Sequence, residues 1–155
     1  MKDRRPVSAS GFTLIELLIV VAIIGILASI AIPNLLMALQ KGRQGRTQGD
    51  LHTLAMAIES YHQDATFYPR LLSVTAAELV PIITPTAANQ IPVTDGWSHP
   101  FRYSSDAMGN GYTVYSYGSD NALDDWIAGP SSRFQDDIVY SDGAFFQWPE
   151  GPQNQ

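Results

Sequence analysis

Residues 11–33 read GFTLIELLIVVAIIGILASIAIP, an apolar run with one carboxylate, Glu16, near its start. From Leu17 to Gln40 there are twenty-four residues without a charge. As a helix they cover about 36 Å, against about 30 Å for the hydrocarbon core of a bilayer, so the segment can span a membrane. Lys2, Arg4 and Arg5 precede it, and positive charge there holds that end in the cytoplasm. A secretory signal peptide would place its small-residue cleavage site after the apolar stretch. Here Ser8, Ala9, Ser10 and Gly11 come before it, and the helical pattern runs on past Pro33. A simple signal anchor is one reading, but Glu16 argues against it. A carboxylate in a spanning helix costs roughly 2.5–3.5 kcal/mol at mid-bilayer, less near the interface, and such residues usually have a partner. The nearest candidate is an α-amino group, if the chain were cut just before Phe12.

Beyond the apolar run, Lys41, Arg43 and Arg46 cluster among Gly42, Gly45 and Gly49. Each glycine weakens a helix by about 1 kcal/mol relative to alanine. Leu51, Leu54, Ile58 and Tyr61 then repeat at helical spacing. The pattern predicts one long helix from about Phe12 to about Asp64, with a kink at Pro33 and a flexible zone at the glycines. The basic cluster reads as a solvated face or a lipid-headgroup contact. A short helix is expected at 75–81, where Thr75 and Glu78 have capping-box spacing. Residues 84–100 are rich in turn formers. Strands are expected at Phe101–Ser104 and Tyr112–Tyr117 around a Gly109–Gly111 turn. A loop of nearly twenty residues follows, and then a hairpin, Ile138–Tyr140 and Ala144–Trp148, turning at Asp142-Gly143. The fold class is α+β: a long N-terminal helix, its first half membrane-spanning, packed on a small antiparallel β-sheet.

The composition narrows the function. From Asp50 onward thirteen acidic residues face only Arg70, Arg102 and Arg133, which argues against nucleic-acid binding. The chain has no cysteine, so it has neither disulfide nor thiol chemistry. GxSxG, HExxH and phosphate-loop patterns are missing, and His52 and His62 fall on different helix faces. No enzyme activity is expected. The strand aromatics, Tyr103 through Trp148, read as sheet core and subunit contact.

G-F-T-L-I-E at 11–16, with the basic start and the apolar run, resembles the signal of type IV pilins and type II secretion pseudopilins. The resemblance implies a pilin-like fold and a leader of residues 1–11, cut between Gly11 and Phe12 by a prepilin peptidase that methylates the Phe12 amine. It implies a membrane and assembly helix over 12–40 and a periplasmic globular domain over 41–155. It also implies that Glu16 pairs with the Phe12 amine of a neighbouring copy as a filament assembles.

Asp50-Leu51, Tyr61, Asp64, Tyr68-Pro69, Asp95-Gly96-Trp97, Pro100-Phe101, Tyr103 and Ser116 through Asp120 are similar to the major pseudopilins of type II secretion. The family usually has glycine after that tryptophan, where this chain has Ser98. The implied role is a structural subunit of a periplasmic pseudopilus that drives protein export. The implied partners are further copies of itself, minor pseudopilins, an inner-membrane assembly platform and the prepilin peptidase. The implied location is the inner membrane. A type IV pilin of a surface fibre, serving adhesion, motility or DNA uptake, is the alternative. Such pilins often carry a disulfide that this chain lacks.

Asp120, Asp124, Asp125, Asp136 and Asp137 crowd the long loop with only Arg133 opposing. A solvated acidic loop is one reading and a calcium site the other, since calcium takes six to eight oxygens in flexible surroundings. The resemblance implies calcium held by Asp120, Asp136 and Asp137 with the carbonyls of Tyr117 and Ala122. Asp124 or Asp125 could replace a ligand in this lengthened loop.

Overall fold

The computed structural model describes residues 11–84 and 91–154. The basic start of the leader and part of the turn-rich 84–100 segment lie outside the described residues. Two compact units are distinguished, one ending at Ala38 and the other beginning at Leu39. Helix α1 runs Leu14–Ala65, with Pro33 inside it. In the first unit its apolar side chains are exposed all round, among them Leu18, Val21, Ile24, Leu27 and Ile32. A helix apolar on every face is built for a lipid or protein surround rather than for water.

In the second unit α1 is amphipathic. Gln44, Thr47, Leu51, Leu54, Ala55 and Ile58 are buried at three- and four-residue spacing. The helix is unbroken through Gly42, Gly45 and Gly49, so contact made on one face carries it past three weak helix formers.

The sheet order is β1-β2-β3-β5-β6-β4. Its strands are β1 (Val74–Thr75), β2 (Arg102–Ser105), β3 (Tyr112–Ser116), β4 (Gly129–Arg133), β5 (Ile138–Ser141) and β6 (Ala144–Asn154). Helix α2 (Ala76–Ile83) follows β1. Thr75 starts it, its N–H and hydroxyl both donating to the Glu78 carboxylate at 2.8 Å, as the spacing predicts. Leu54 and Ile58 of α1, Leu79 and Ile83 of α2, and Phe101, Tyr103, Val114 and Ile138 of the sheet side form one core cluster.

The structure corrects the expected sheet in two respects. Part of the expected loop is strand β4, and it pairs parallel to β6, so the sheet is mixed rather than wholly antiparallel. Strand β6 also runs to Asn154, well past the expected Trp148. Its far end is held by Gln153, which is buried. Gln153 Oε1 accepts from Gln44 Nε2 of α1 at 3.0 Å, and its Nε2 donates to the carbonyls of Ser131 and Glu150 at 3.1 Å. One satisfied amide thus ties α1, β4 and β6 in a chain without disulfides.

The Asp95-Gly96-Trp97 turn is seated directly on α1. The buried Asp95 carboxylate accepts from the N–H groups of Trp97 and His99 and from the Ser116 hydroxyl, at 2.7–2.9 Å. Gly96 N–H donates to Thr47 Oγ1 at 2.9 Å. A Cβ at Gly96 would collide with the Arg43 carbonyl, so only glycine allows this approach. Ser98 has φ 72°, in the left-handed region. The resemblance places a glycine there, and the backbone explains why glycine suits the position. Ser98→Gly is expected to raise stability by up to about 1 kcal/mol, and Ser98→Val to lower it by more than that. Thermal melts of the two variants against the parent chain check both signs.

Candidate functional site

At the membrane end, Gly11, Phe12 and Thr13 precede α1 in exposed, non-helical backbone. Glu16 Oε2 accepts from Thr13 N–H at 2.9 Å and from the Thr13 hydroxyl at 2.6 Å. Glu16 N–H lies 3.3 Å from Thr13 Oγ1 and donates to it. Threonine and glutamate three residues apart thus form a capping box at the start of α1, satisfying donors the helix leaves free. The carboxylate expected to await a partner has a local one in the single chain. Sequence reading found the same signature at Thr75–Glu78 but passed over it here.

The second site is the loop between β3 and β5. Gly118 enters it at φ 68°, with its carbonyl 3.1 Å from His99 Nδ1. A Cβ on Gly118 would collide with the Gln135 carbonyl, so the loop's two ends meet there. Ser119 N–H donates to the Phe134 carbonyl at 2.9 Å. Of the expected ligands, Asp120 is exposed and its Oδ1 accepts from Ala122 N–H at 3.1 Å. Tyr117 is half-buried, with the Arg102 guanidinium 5.7 Å from its ring centroid. Asp136 is engaged by Arg133, whose Nε lies 2.8 Å and terminal nitrogen 2.6 Å from Asp136 Oδ1. Asp125 is exposed and Asp124 partly buried.

Asp137 is fully buried. Its Oδ2 accepts from Trp126 Nε1 at 2.7 Å and from Asp124 N–H at 3.4 Å, while Oδ1 has no hydrogen-bond partner. Burial pushes its carboxyl up to about 6; the Trp126 bond offsets part of that, and the charges of Asp124 and Asp120 add to it. Ser131 Oγ and Gln135 Oε1 are likewise buried without partners. Arg133, Asp136, Asp124, Asp125, Ser131 and Gln147 are among the residues lining an open cavity of about 420 Å³ beside them. Among the described residues, no three carboxylate or imidazole groups converge as a ready ligand set. The loop gathers acidic oxygens around one orphaned carboxylate oxygen without closing a cage.

Sequence reasoning missed two residues here. Trp126 stacks edge-on to Tyr115 at 4.9 Å and reaches Asp137. Gln147 of β6 accepts from Ile127 N–H at 2.7 Å and donates to the Asp137 carbonyl at 2.8 Å. Nothing local marks either, because their partners lie ten or more residues away. The ring of Trp126→Phe would keep its place on Tyr115 but leave Asp137 Oδ2 without its strongest donor. This variant should lose about 1–3 kcal/mol in chelator, read by thermal melting, and expose the loop to protease.

The family described as type II secretion system protein G matches residues 34–126. The prokaryotic N-terminal methylation motif matches residues 8–32. The chain is 34% identical to the type II secretion system core protein G of Escherichia coli, over 83% of this chain and 88% of that one. It is 31% identical to core protein G of Pseudomonas aeruginosa, over 72% and 84%. With core protein G of Klebsiella michiganensis the identity is 30%, over 91% and 94%. No solved structure matches significantly.

Proposed function

This chain belongs to the type II secretion system protein G family and is a structural subunit of a pseudopilus; we propose how its own residues bring it into that filament. The protein is anchored in the inner membrane by one apolar helix, with its globular domain in the periplasm. Its role is structural, as in the core protein G family. In our reading the precursor is cut between Gly11 and Phe12 by a prepilin peptidase, and the Phe12 amine is methylated. The leader is 1–11, the assembly helix 12–40 and the periplasmic domain 41–155. Copies then polymerise through their α1 helices on an inner-membrane assembly platform, with minor pseudopilins as further partners.

The observation that carries this reading is Glu16 on an otherwise uncharged apolar surface. In the single chain the capping box with Thr13 hydrogen-bonds the carboxylate without neutralising its charge. The Phe12 amine of a neighbouring copy would supply that charge, and it exists only after cleavage. Assembly thereby becomes conditional on processing. Glu16→Val should insert into the membrane at least as well as the parent but fail to form fibres. The check is fibre yield, alongside the intact mass of the membrane-extracted parent chain. The parent mass should correspond to a start at Phe12 plus one methyl group. Normal fibres from the variant, or a chain still starting at Met1, would contradict the reading.

The family resemblance also implies calcium, and the loop's chemistry fits a hard cation. Its donors are all oxygen, and Asp137 presents a buried oxygen with no partner. Asp120 and Asp137, with the carbonyls of Tyr117 and Ala122, would hold the ion. Asp136 would join on leaving Arg133, and Asp124 or Asp125 could substitute. The ion would offset the Asp124 and Asp120 charges that help raise the Asp137 carboxyl, and would tie the loop where other chains use a disulfide. At free calcium about 100 times the dissociation constant, the folded domain should gain roughly 2.7 kcal/mol. Magnesium should substitute poorly, because it demands a tighter octahedral shell. Asp120→Ala and Asp137→Ala should abolish the gain and Asp106→Ala should not. Melting curves in calcium, magnesium and chelator decide it, and identical curves in all three would leave a solvated acidic loop.

A further inference from the structure

The basic cluster after the apolar run, and the tryptophan turn seated on it, are not used by the filament chemistry above. The uncharged run ends at Gln40, and Lys41 is the first charge beyond it. With Glu16 near the cytoplasmic face, about 36 Å of helix carries Gln40 to the opposite headgroup layer. At that level Trp97 Nε1 donates to Gln40 Oε1 at 2.6 Å. The bond fixes a half-buried indole against the helix where the hydrocarbon ends. Tryptophan favours this depth, because its ring is apolar and its N–H polar.

The turn is closely seated. Gly96 packs on the Arg43 carbonyl and donates to Thr47, and Asp95 locks the turn from behind. Lys41 and Arg43 are exposed, and among the described residues neither takes part in an ion pair. Arg46, one turn on, is engaged by Asp50 at 3.1 Å. At about 100° per residue, Lys41 and Arg43 lie about 160° apart round the helix. Trp97 sits on the Arg43 side, through Gln40. On the Lys41 side, Lys41, Gln44 and the Pro149–Gln153 end of β6 line a groove of about 510 Å³. Two unpaired cations thus flank the helix where it leaves the membrane, in a domain that is otherwise strongly acidic.

We propose that Lys41, Arg43 and Trp97 form a collar that binds the phosphate groups of anionic phospholipids in the outer leaflet of the inner membrane. The cations attract the headgroups and the indole sets the depth. Their hold keeps the acidic domain close to the bilayer before assembly, and it must be released when the subunit leaves the membrane. The proposal rests on the membrane-inserted state of the chain and on none of the Glu16 chemistry.

The test uses the full chain in lipid nanodiscs of phosphatidylcholine, with phosphatidylglycerol added in steps. Tryptophan emission is read against lipids brominated near the headgroup. Quenching should rise with the anionic fraction and weaken in high salt. The anionic fraction giving half the effect should increase roughly five-fold for Lys41→Ala or Arg43→Ala, in line with the surface contribution of one basic side chain. Trp97→Phe should remove the quenching itself, which separates Trp97 from Trp126 and Trp148. Inorganic phosphate at constant ionic strength should leave the response unchanged. Equal quenching in neutral and anionic discs, full retention in the Lys41→Ala/Arg43→Ala double variant, or competition by free phosphate would each overturn the proposal. A chain that does not enter the discs would overturn it through its premise, whereas loss of fibres alone would touch only the Glu16 reading.

Discussion

The first half of α1 cannot remain in water, and the rest of the structure follows from that constraint. Burying one large aliphatic side chain is worth about 1.5–3 kcal/mol, and the helix from Leu14 to Leu39 exposes them on every face. The sum is on the order of tens of kcal/mol, more than the whole stability of an ordinary domain. Two environments can satisfy it: a bilayer, or a bundle of identical helices. In the filament proposed here a subunit would use both in turn, its anchor serving also as its assembly surface. On that proposal Glu16 would bias the exchange. It is tolerated near the membrane face by its capping box with Thr13, and it is better served where a positive charge lies beside it.

The second half of the same helix does a different task with the same backbone. Only one stripe is apolar, and it closes a core with α2 and the sheet. The Asp95–Trp97 turn and the Gln44–Gln153 amide pair fasten the stripe's upstream end, where glycines would otherwise favour fraying. Buried polar groups with complete hydrogen bonding specify geometry as well as adding stability. In a chain without cysteine, these contacts take part of the place of a covalent staple.

Most of the helical architecture was legible in the sequence, because its determinants are local. Leu51, Leu54 and Ile58 announce the buried stripe, Thr75 and Glu78 the start of α2, and Asp142-Gly143 the last hairpin, whose two positive φ angles the structure confirms. Strand β4 was not legible. Gly129-Pro130-Ser131-Ser132-Arg133 has turn composition and becomes strand only by pairing with β6, whose partner residues lie about twenty positions away. The acidic character of the loop was plain from its five aspartates, but their distinct roles were not. Asp136 is taken by Arg133, while Asp137 is sealed in by Trp126 and Gln147 across tertiary distances that no spacing rule encodes.

In the proposed filament the exposed half of α1 becomes an interface between copies. Since the chain has no cysteine of its own, single cysteines at Leu18 and Leu27 would report neighbours without background. The measurement is oxidative cross-linking of assembled fibres in cells that express paired variants. Leu18→Cys/Leu27→Cys fibres should give a ladder of multimers, and cysteines placed at exposed Asp106 and Asn110 on the β2–β3 turn should give none. Fibres that form normally yet yield only monomers from the helix positions would contradict it.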